Sequence, residues 1–303
     1  MKQVTRTVST LCEFIEAIEV LNSELAHELI PKRLYYRGQS NVSYQLMPAL
    51  GRQISGVCNL PFGFERRIVE YVEENFPETT RKLNTPLDRL AFLQHHGAPT
   101  RLLDITSSPL VALYFAIASN MDADGEVLVF APFDQETERY PIGMAIADSY
   151  RMIQGSCDHL EFFYERVKTQ PYFLEQKSLV ENCIGDNRKG GQWVYACCKT
   201  PLFVHSYHHS DRQRIQQSSF ILFPNDIDED NQDPLFIENI SPLSKDHEIV
   251  AGRITICASA KPSISSQLKR AGITRAMLFS DSVDVICEES GQFAKDHMSW
   301  VKA

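Results

Sequence analysis

The sequence predicts an α+β fold. Three observations carry this reading: a helical segment from Pro109 to about Ser119 that is apolar almost all round, short β-prone runs bounded by turn residues, and an amphipathic helix near the N-terminus. In chain order, Thr10-Leu11-Cys12-Glu13 is a capping box that opens a helix with Leu11, Phe14, Ile15, Ile18 and Leu21 on one side. Leu34 to Ser40 is a β-prone run containing Arg37-Gly38. Thr85-Pro86 starts a helix ending at His95-His96, where imidazoles suit the negative end of a helix dipole. Gly97 and Pro99 turn the chain into a short apolar strand at Leu102-Leu103 and Ile105.

Ser108 is an N-cap and Pro109 the first helical residue, and Leu110, Val111, Leu113, Tyr114, Phe115 and Ile117 leave the following helix no polar face, so it is buried. Further strands are expected at Gly125–Phe130, Val194–Cys198 and Ser219–Phe223, with residues about 134–190 mixed in character. Ser263–Gly272 reads as a helix stopped by its glycine, Ile273–Phe279 as a strand, and Ser280-Asp281 as the cap of a last helix. The expected organisation is one unit over residues 1–303, with a motif core at 30–120 and the remaining strands and helices at 121–303.

Composition narrows the function. A hydrophobic content of 43% is that of a globular chain with a sizeable core, and no segment approaches a membrane span. The expected location is the cytoplasm, with the eight cysteines reduced and buried, because their spacing makes no disulfide framework. A net charge of −9 excludes strong nonspecific nucleic-acid binding but not RNA as an acceptor. Arg188, Lys189, Lys199, Arg212 and Arg214 form an expected local basic lip. No metal is expected. Cys197-Cys198 with His205, His208 and His209 lacks a Cys-x-x-Cys knuckle, and in Asp226-x-Asp228-x-Asp230 Asn231 replaces the calcium-loop glycine and Ile237 the bidentate glutamate. The loop Gly185–Gly191 has the wrong spacing for a phosphate-binding Walker motif.

The candidate site joins two segments. Arg37 stands before a glycine, where a guanidinium can hold a phosphate bidentately and the backbone can be approached. Asp104, Thr106, Ser107 and Ser108 stand where a strand meets a helix N-terminus, whose free N–H groups favour anions. Two bland alternatives remain: the hydroxyls only cap the helix, and Asp104 is a structural carboxylate bonded to arginine or to backbone N–H groups.

Three stretches together resemble the FRG-domain family: Tyr36-Arg37-Gly38-Gln39 with Leu46-x-Pro48-x-Leu50-x-Arg52, Leu93-Gln94-His95-His96-Gly97-x-Pro99-Thr100-Arg101-Leu102-Leu103-Asp104-x-Thr106, and Arg212 with Gln216-Gln217-Ser218-Ser219-Phe220. Ile264 to Asp281 resembles the family's closing elements. That family in turn resembles ADP-ribosyltransferases of the Arg-Ser-Glu type. The resemblance implies a split β-sheet core with helical elaborations and NAD as substrate. The enzyme would be a toxin or phage-defence effector that modifies a macromolecule, RNA above others, under a cognate antitoxin or regulatory protein. It implies catalytic roles for Arg37, Thr106, Ser107, Gln216 and Asp104, and cofactor contacts from Tyr36, Arg37, Gly38, Gln39, Arg101, Thr106 and Ser108. Gln216 stands where the motif has glutamate, so a carboxylate beside the cationic sugar must come from elsewhere, and Asp104 is the best placed. The alternative reading is a noncatalytic module that binds a nucleotide or sugar and signals to a protein partner.

Overall fold

The computed structural model describes residues 4–26, 33–54, 61–132, 141–152, 157–174, 187–206, 210–228, 235–237 and 240–298. Its strands are β1 (Val4–Val8), β2 (Tyr35–Gln39), β3 (Leu102–Thr106), β4 (Gly125–Phe130), β5 (Cys157–His159), β6 (Leu202–Val204), β7 (Ser218–Leu222), β8 (Ile227–Asp228), β9 (Leu235–Ile237) and β10 (Val250–Ile256). The helices are α1 (Leu11–Ala26), α2 (Ala49–Ile54), α3 (Pro61–Asn75), α4 (Pro77–Thr80), α5 (Pro86–His95), α6 (Pro109–Ile117) and α7 (Pro141–Ser149). They continue with α8 (Leu160–Val167), α9 (Pro171–Leu174), α10 (Asn187–Lys199), α11 (Asp211–Ile215), α12 (Lys261–Arg270), α13 (Arg275–Leu278) and α14 (Val283–Met298). The class is α+β.

Seven strands form one sheet in the order β1-β10-β4-β2-β3-β7-β6, and β5-β9-β8 form a small second one. The large sheet draws on strands from both ends of the chain, with β1 parallel to β10 and the other neighbours antiparallel. Its pairing is uneven in a way that matters for the site. β2 runs alongside β4 for five residues, Tyr35 opposite Phe130 to Gln39 opposite Glu126, and β3 runs alongside β7 for five more. Between β2 and β3 only Tyr36 and Thr106 pair. Two ladders therefore share a single rung, and the sheet opens on one side of it.

Alternation along the strands feeds two cores. Tyr35, Leu128 and Phe130 join one cluster with β3, β7, α5 and α7, while Tyr36, Val127 and Val129 join another with α1, α6 and α12. Helix α6 lies close on the sheet. A Cβ at Gly38 would come within 1.9 Å of the Ala112 carbonyl oxygen, and one at Gly125 within 2.2 Å of that of Ala116. The expected helix starts are present: Thr10, Thr85 and Ser108 accept from the backbone N–H groups of Glu13, Asp88 and Val111.

Four sequence expectations are corrected. Val194–Cys198, read as a strand from its β-branched and aromatic residues, is the last part of α10. Its buried positions Gly190, Gly191, Val194 and Cys198 follow helical spacing, and a Cβ at Gly190 would meet the Tyr164 ring of α8 at 2.1 Å. Tertiary packing on α8 overrides local propensity. Ile273–Phe279 is not a strand: Thr274 accepts from the Met277 N–H and caps α13. The last helix is capped by Ser282, which accepts from the Val285 N–H, one residue beyond the expected Ser280-Asp281. Cys12 and Cys287 are exposed rather than buried. Strands β1, β6 and β10 carry no prediction from the sequence. Gly185, Asp186, His208, His209, Asp230 and Asn231 lie outside the described residues. Among the described residues, no helix is long and apolar enough to cross a membrane.

Candidate functional site

A cleft of about 250 Å³ opens where β2 and β3 part, lined by Tyr36, Arg37, Gly38 and Phe115 on one side and by Asp104, Thr106, Gln216 and Phe220 on the other. Arg37 shares the face of β2 that carries Tyr35, and its Nη1 reaches across the opening to donate to the main-chain carbonyl of Asp104 at 2.7 Å. Its Nε is buried without a hydrogen-bond partner, and no carboxylate of the described residues pairs with it. Burial pushes the Arg37 guanidinium below its ordinary range; the nearby Asp104 charge offsets part of this, and Arg52 adds to it. With its Nε buried and no carboxylate in ion-pair contact among the described residues, this cation is placed to take an anion that enters the cleft.

Asp104 turns its side chain outward into the cleft and makes neither an ion pair nor a side-chain hydrogen bond among the described residues. The bland alternative for it, a carboxylate bonded to arginine or to helix N–H groups, does not describe its position. The hydroxyls are different. Thr106 donates to the main-chain carbonyl of Gln216 at 2.6 Å and accepts the Ser108 N–H at 3.0 Å. Ser107 donates to the side-chain oxygen of Gln217 at 2.8 Å, and its N–H to the Gln217 carbonyl at 3.2 Å. Ser108 caps α6. These three residues knit the end of β3 to the turn before β7 and hold Gln217 in the left-handed region at φ 48°. A left-handed glutamine costs on the order of 1 kcal/mol, so the turn is imposed by these bonds. The turn presents Gln216. Its amide N–H donates to the Leu278 carbonyl at 3.0 Å, leaving the amide oxygen without a partner among the described residues at the cleft wall.

Of the residues expected to contact a cofactor, Tyr36, Arg37, Gly38 and Thr106 line the cleft, whereas Gln39 and Ser108 do not. Gly38 is required by the close approach of α6. Arg101 is corrected outright. It is 1% exposed, pairs with Glu65 at 2.8 Å, donates to the Ala147 carbonyl at 3.0 Å and lies 3.7 Å over the Tyr150 ring, so it belongs to the core and not to the cleft. Of the expected basic lip, only Arg212 lines the cleft; Arg214 pairs with Asp211 at 2.7 Å on the surface, and the side chain of Arg188 lies outside the described residues. Tyr35 is buried against Phe203 and Trp193 packs on Phe173, whereas Tyr36, Phe115 and Phe220 are aromatic residues that line the cleft.

The fold adds a group that sequence reading did not assemble. His95, at the end of α5, places Nε2 3.2 Å from Asp281. Arg212 lies beside them, its guanidinium 4.3 Å over the Phe279 ring and sensing the charges of Asp281 and Asp104. His95, Arg212 and Gln213 line both the cleft and a broader outer groove of about 680 Å³. Burial lowers the His95 pKa below the ordinary 6.5, Arg212 lowers it further, and Asp281 opposes them. No local pattern links His95 to Asp281, since the helix C-terminus accounted for the first and a helix cap for the second. Among the described residues, no group of three or more His, Cys, Asp or Glu side chains is placed to hold a metal ion.

Neither curated proteins nor solved structures provide a match to the chain. The family model described as FRG domain matches residues 32–125. That span carries β2, β3, α6 and the lining residues Arg37, Asp104 and Thr106, while Arg212, Gln216 and Asp281 lie beyond it.

Proposed function

We propose that the chain is an NAD-dependent ADP-ribosyltransferase whose acceptor is a macromolecule, RNA above others. One observation carries the reading: Arg37, its Nε buried without a hydrogen-bond partner and no carboxylate ion-paired to it among the described residues, lines a cleft that also presents the Asp104 carboxylate. Cleaving the bond between nicotinamide and ribose needs these two features, an anchor for a diphosphate and negative charge beside a cationic sugar. Arg37 supplies the anchor and Asp104 the charge. The Gln216 amide oxygen accepts from a ribose hydroxyl, as a neutral amide does, and so fixes the sugar without acting as a base. The Thr106 and Ser107 protons are already engaged, so these residues position the Gln216 turn instead of reacting. About 250 Å³ takes the nicotinamide riboside end of the dinucleotide, with the rest extending outward.

A second reading has its own support. Gln216 carries no charge where the Arg-Ser-Glu motif has glutamate, which suits a module that binds a nucleotide and passes the event to a protein partner. Purified chain incubated with NAD labelled in the adenylate, with and without cell lysate, separates the two. Released nicotinamide with label in a macromolecule supports the transferase, whereas saturable NAD binding without nicotinamide release supports the binding module. Absence of any NAD binding overturns both.

A further inference from the structure

We infer that the outer groove is the acceptor site and that His95 is the general base that takes the acceptor's proton. The inference rests on the transferase reading and deepens it. The groove adjoins the cleft through His95, Arg212 and Gln213, so a group lying in it meets the sugar from outside. His95 is built for a base: Nε2 faces the Asp281 carboxylate at 3.2 Å, which fixes the tautomer with its proton there and leaves Nδ1 as the free lone pair. Nδ1 has no hydrogen-bond partner among the described residues. Arg212 and His96 are the other titratable groups facing it, and both, with burial, keep the ring neutral at neutral pH.

The groove also favours one acceptor class. Phe92, His96 and His95 bring three rings to the groove, with centroids 4.5 Å apart and planes 58° apart for the first pair and 4.9 Å and 85° for the second, so each offers its own face or edge. Lys82 and Arg212 supply cations on the same groove. Aromatic rings beside cations suit an unpaired nucleobase with its phosphates. In the step assigned here, an exocyclic amine nitrogen of that base forms a bond to the ribose C1′. The C1′–nicotinamide bond breaks with its electron pair leaving on nicotinamide, which departs neutral. The amine proton passes to Nδ1 of His95, giving an imidazolium held by Asp281. Asp281 is a positioning residue in this scheme.

The test uses the full chain, labelled NAD and a mixed-sequence single-stranded RNA oligonucleotide as acceptor probe. His95→Gln is expected to lower label transfer by about 100-fold or more, the usual worth of a positioned general base, with NAD affinity retained. Asp281→Asn removes the charge that raises the His95 pKa, so the acid limb of the kcat/KM profile moves to lower pH; a merely structural role would lower the rate equally at every pH. Transfer at the wild-type rate by folded His95→Gln overturns the proposal. If that variant does not fold, Asp281→Asn decides, and an unmoved acid limb overturns it. Label lost on protease digestion but surviving nuclease makes the acceptor a protein and overturns the nucleobase assignment. A wild-type chain that neither binds nor cleaves NAD instead removes the transferase reading beneath it.

Discussion

Arg37 and Arg101 flank the same strand, yet the fold treats them oppositely. Arg101, immediately before β3, has its counter-ion built into the core: Glu65 approaches both its backbone N–H and its guanidinium, the Ala147 carbonyl accepts from Nη2, and the Tyr150 ring lies beneath. Arg37, in β2, is half-buried at the cleft wall, donates to one main-chain carbonyl and makes no ion pair among the described residues. Both stand in motif-like stretches, so residue type and local sequence do not separate them. The partner set does. A fully buried cation ion-paired to a carboxylate of the core belongs to the scaffold; a half-buried one on a cleft wall without such a pair is placed to meet an anion the fold does not contain.

The largest expected effect tests the ion-paired side. Arg101→Met strands the Glu65 carboxylate in the core and is expected to cost about 3–5 kcal/mol, read as a shift of the urea midpoint, whereas adding Glu65→Leu restores most of that loss. On the other side, Arg37→Ala is expected to lower turnover about 100- to 1000-fold, the worth of a preorganised donor, with stability changed by less than about 1 kcal/mol. A variant that loses stability and keeps its turnover would erase the contrast between the two arginines.

Between these extremes lies Gly38→Ala, which drives a Cβ into the Ala112 carbonyl and should lower stability by about 1–3 kcal/mol through α6 being pushed off the sheet. Thr106→Val removes one satisfied hydroxyl and should cost about 1 kcal/mol in a thermal melt. Because the lost bond holds the Gln216 turn, NAD affinity is expected to weaken alongside; unchanged affinity would show that Gln216 does not touch the sugar. The smallest effect is in pH dependence. His95 has a folded pKa below 6.5, so the unfolded chain binds the proton first, and the stability His95 contributes is present above pH 6.5 and lost as pH falls towards the folded pKa. His95→Gln should therefore shallow the acid loss of melting temperature, and parallel curves for the two proteins would contradict the depressed pKa.

Local chemistry wrote much of the scaffold into the sequence. The Thr85-Pro86 and Ser108-Pro109 helix starts, the all-round apolar α6, the glycine that ends α12 at φ 85° and the strands around Arg37, Leu102 and Val127 depend on neighbours within a few residues, where capping and periodicity act. Arg37 and Asp104 were legible from the glycine and the helix start beside them, although they stand in the middle of β2 and β3, and Gln216 was legible only through the family resemblance. Four things were decided only in three dimensions. The helix at Val194–Cys198 exists because Gly190 lets it lie against Tyr164, which no propensity reveals. The fate of Arg101 was set by Glu65, thirty-six residues earlier in the chain and adjacent only after folding. The pairing of His95 with Asp281 joins the end of α5 to the segment before α14, far apart in sequence. The parting of β2 from β3 that makes the cleft arises from long-range register, where a single shared rung leaves room that the sequence of neither strand describes.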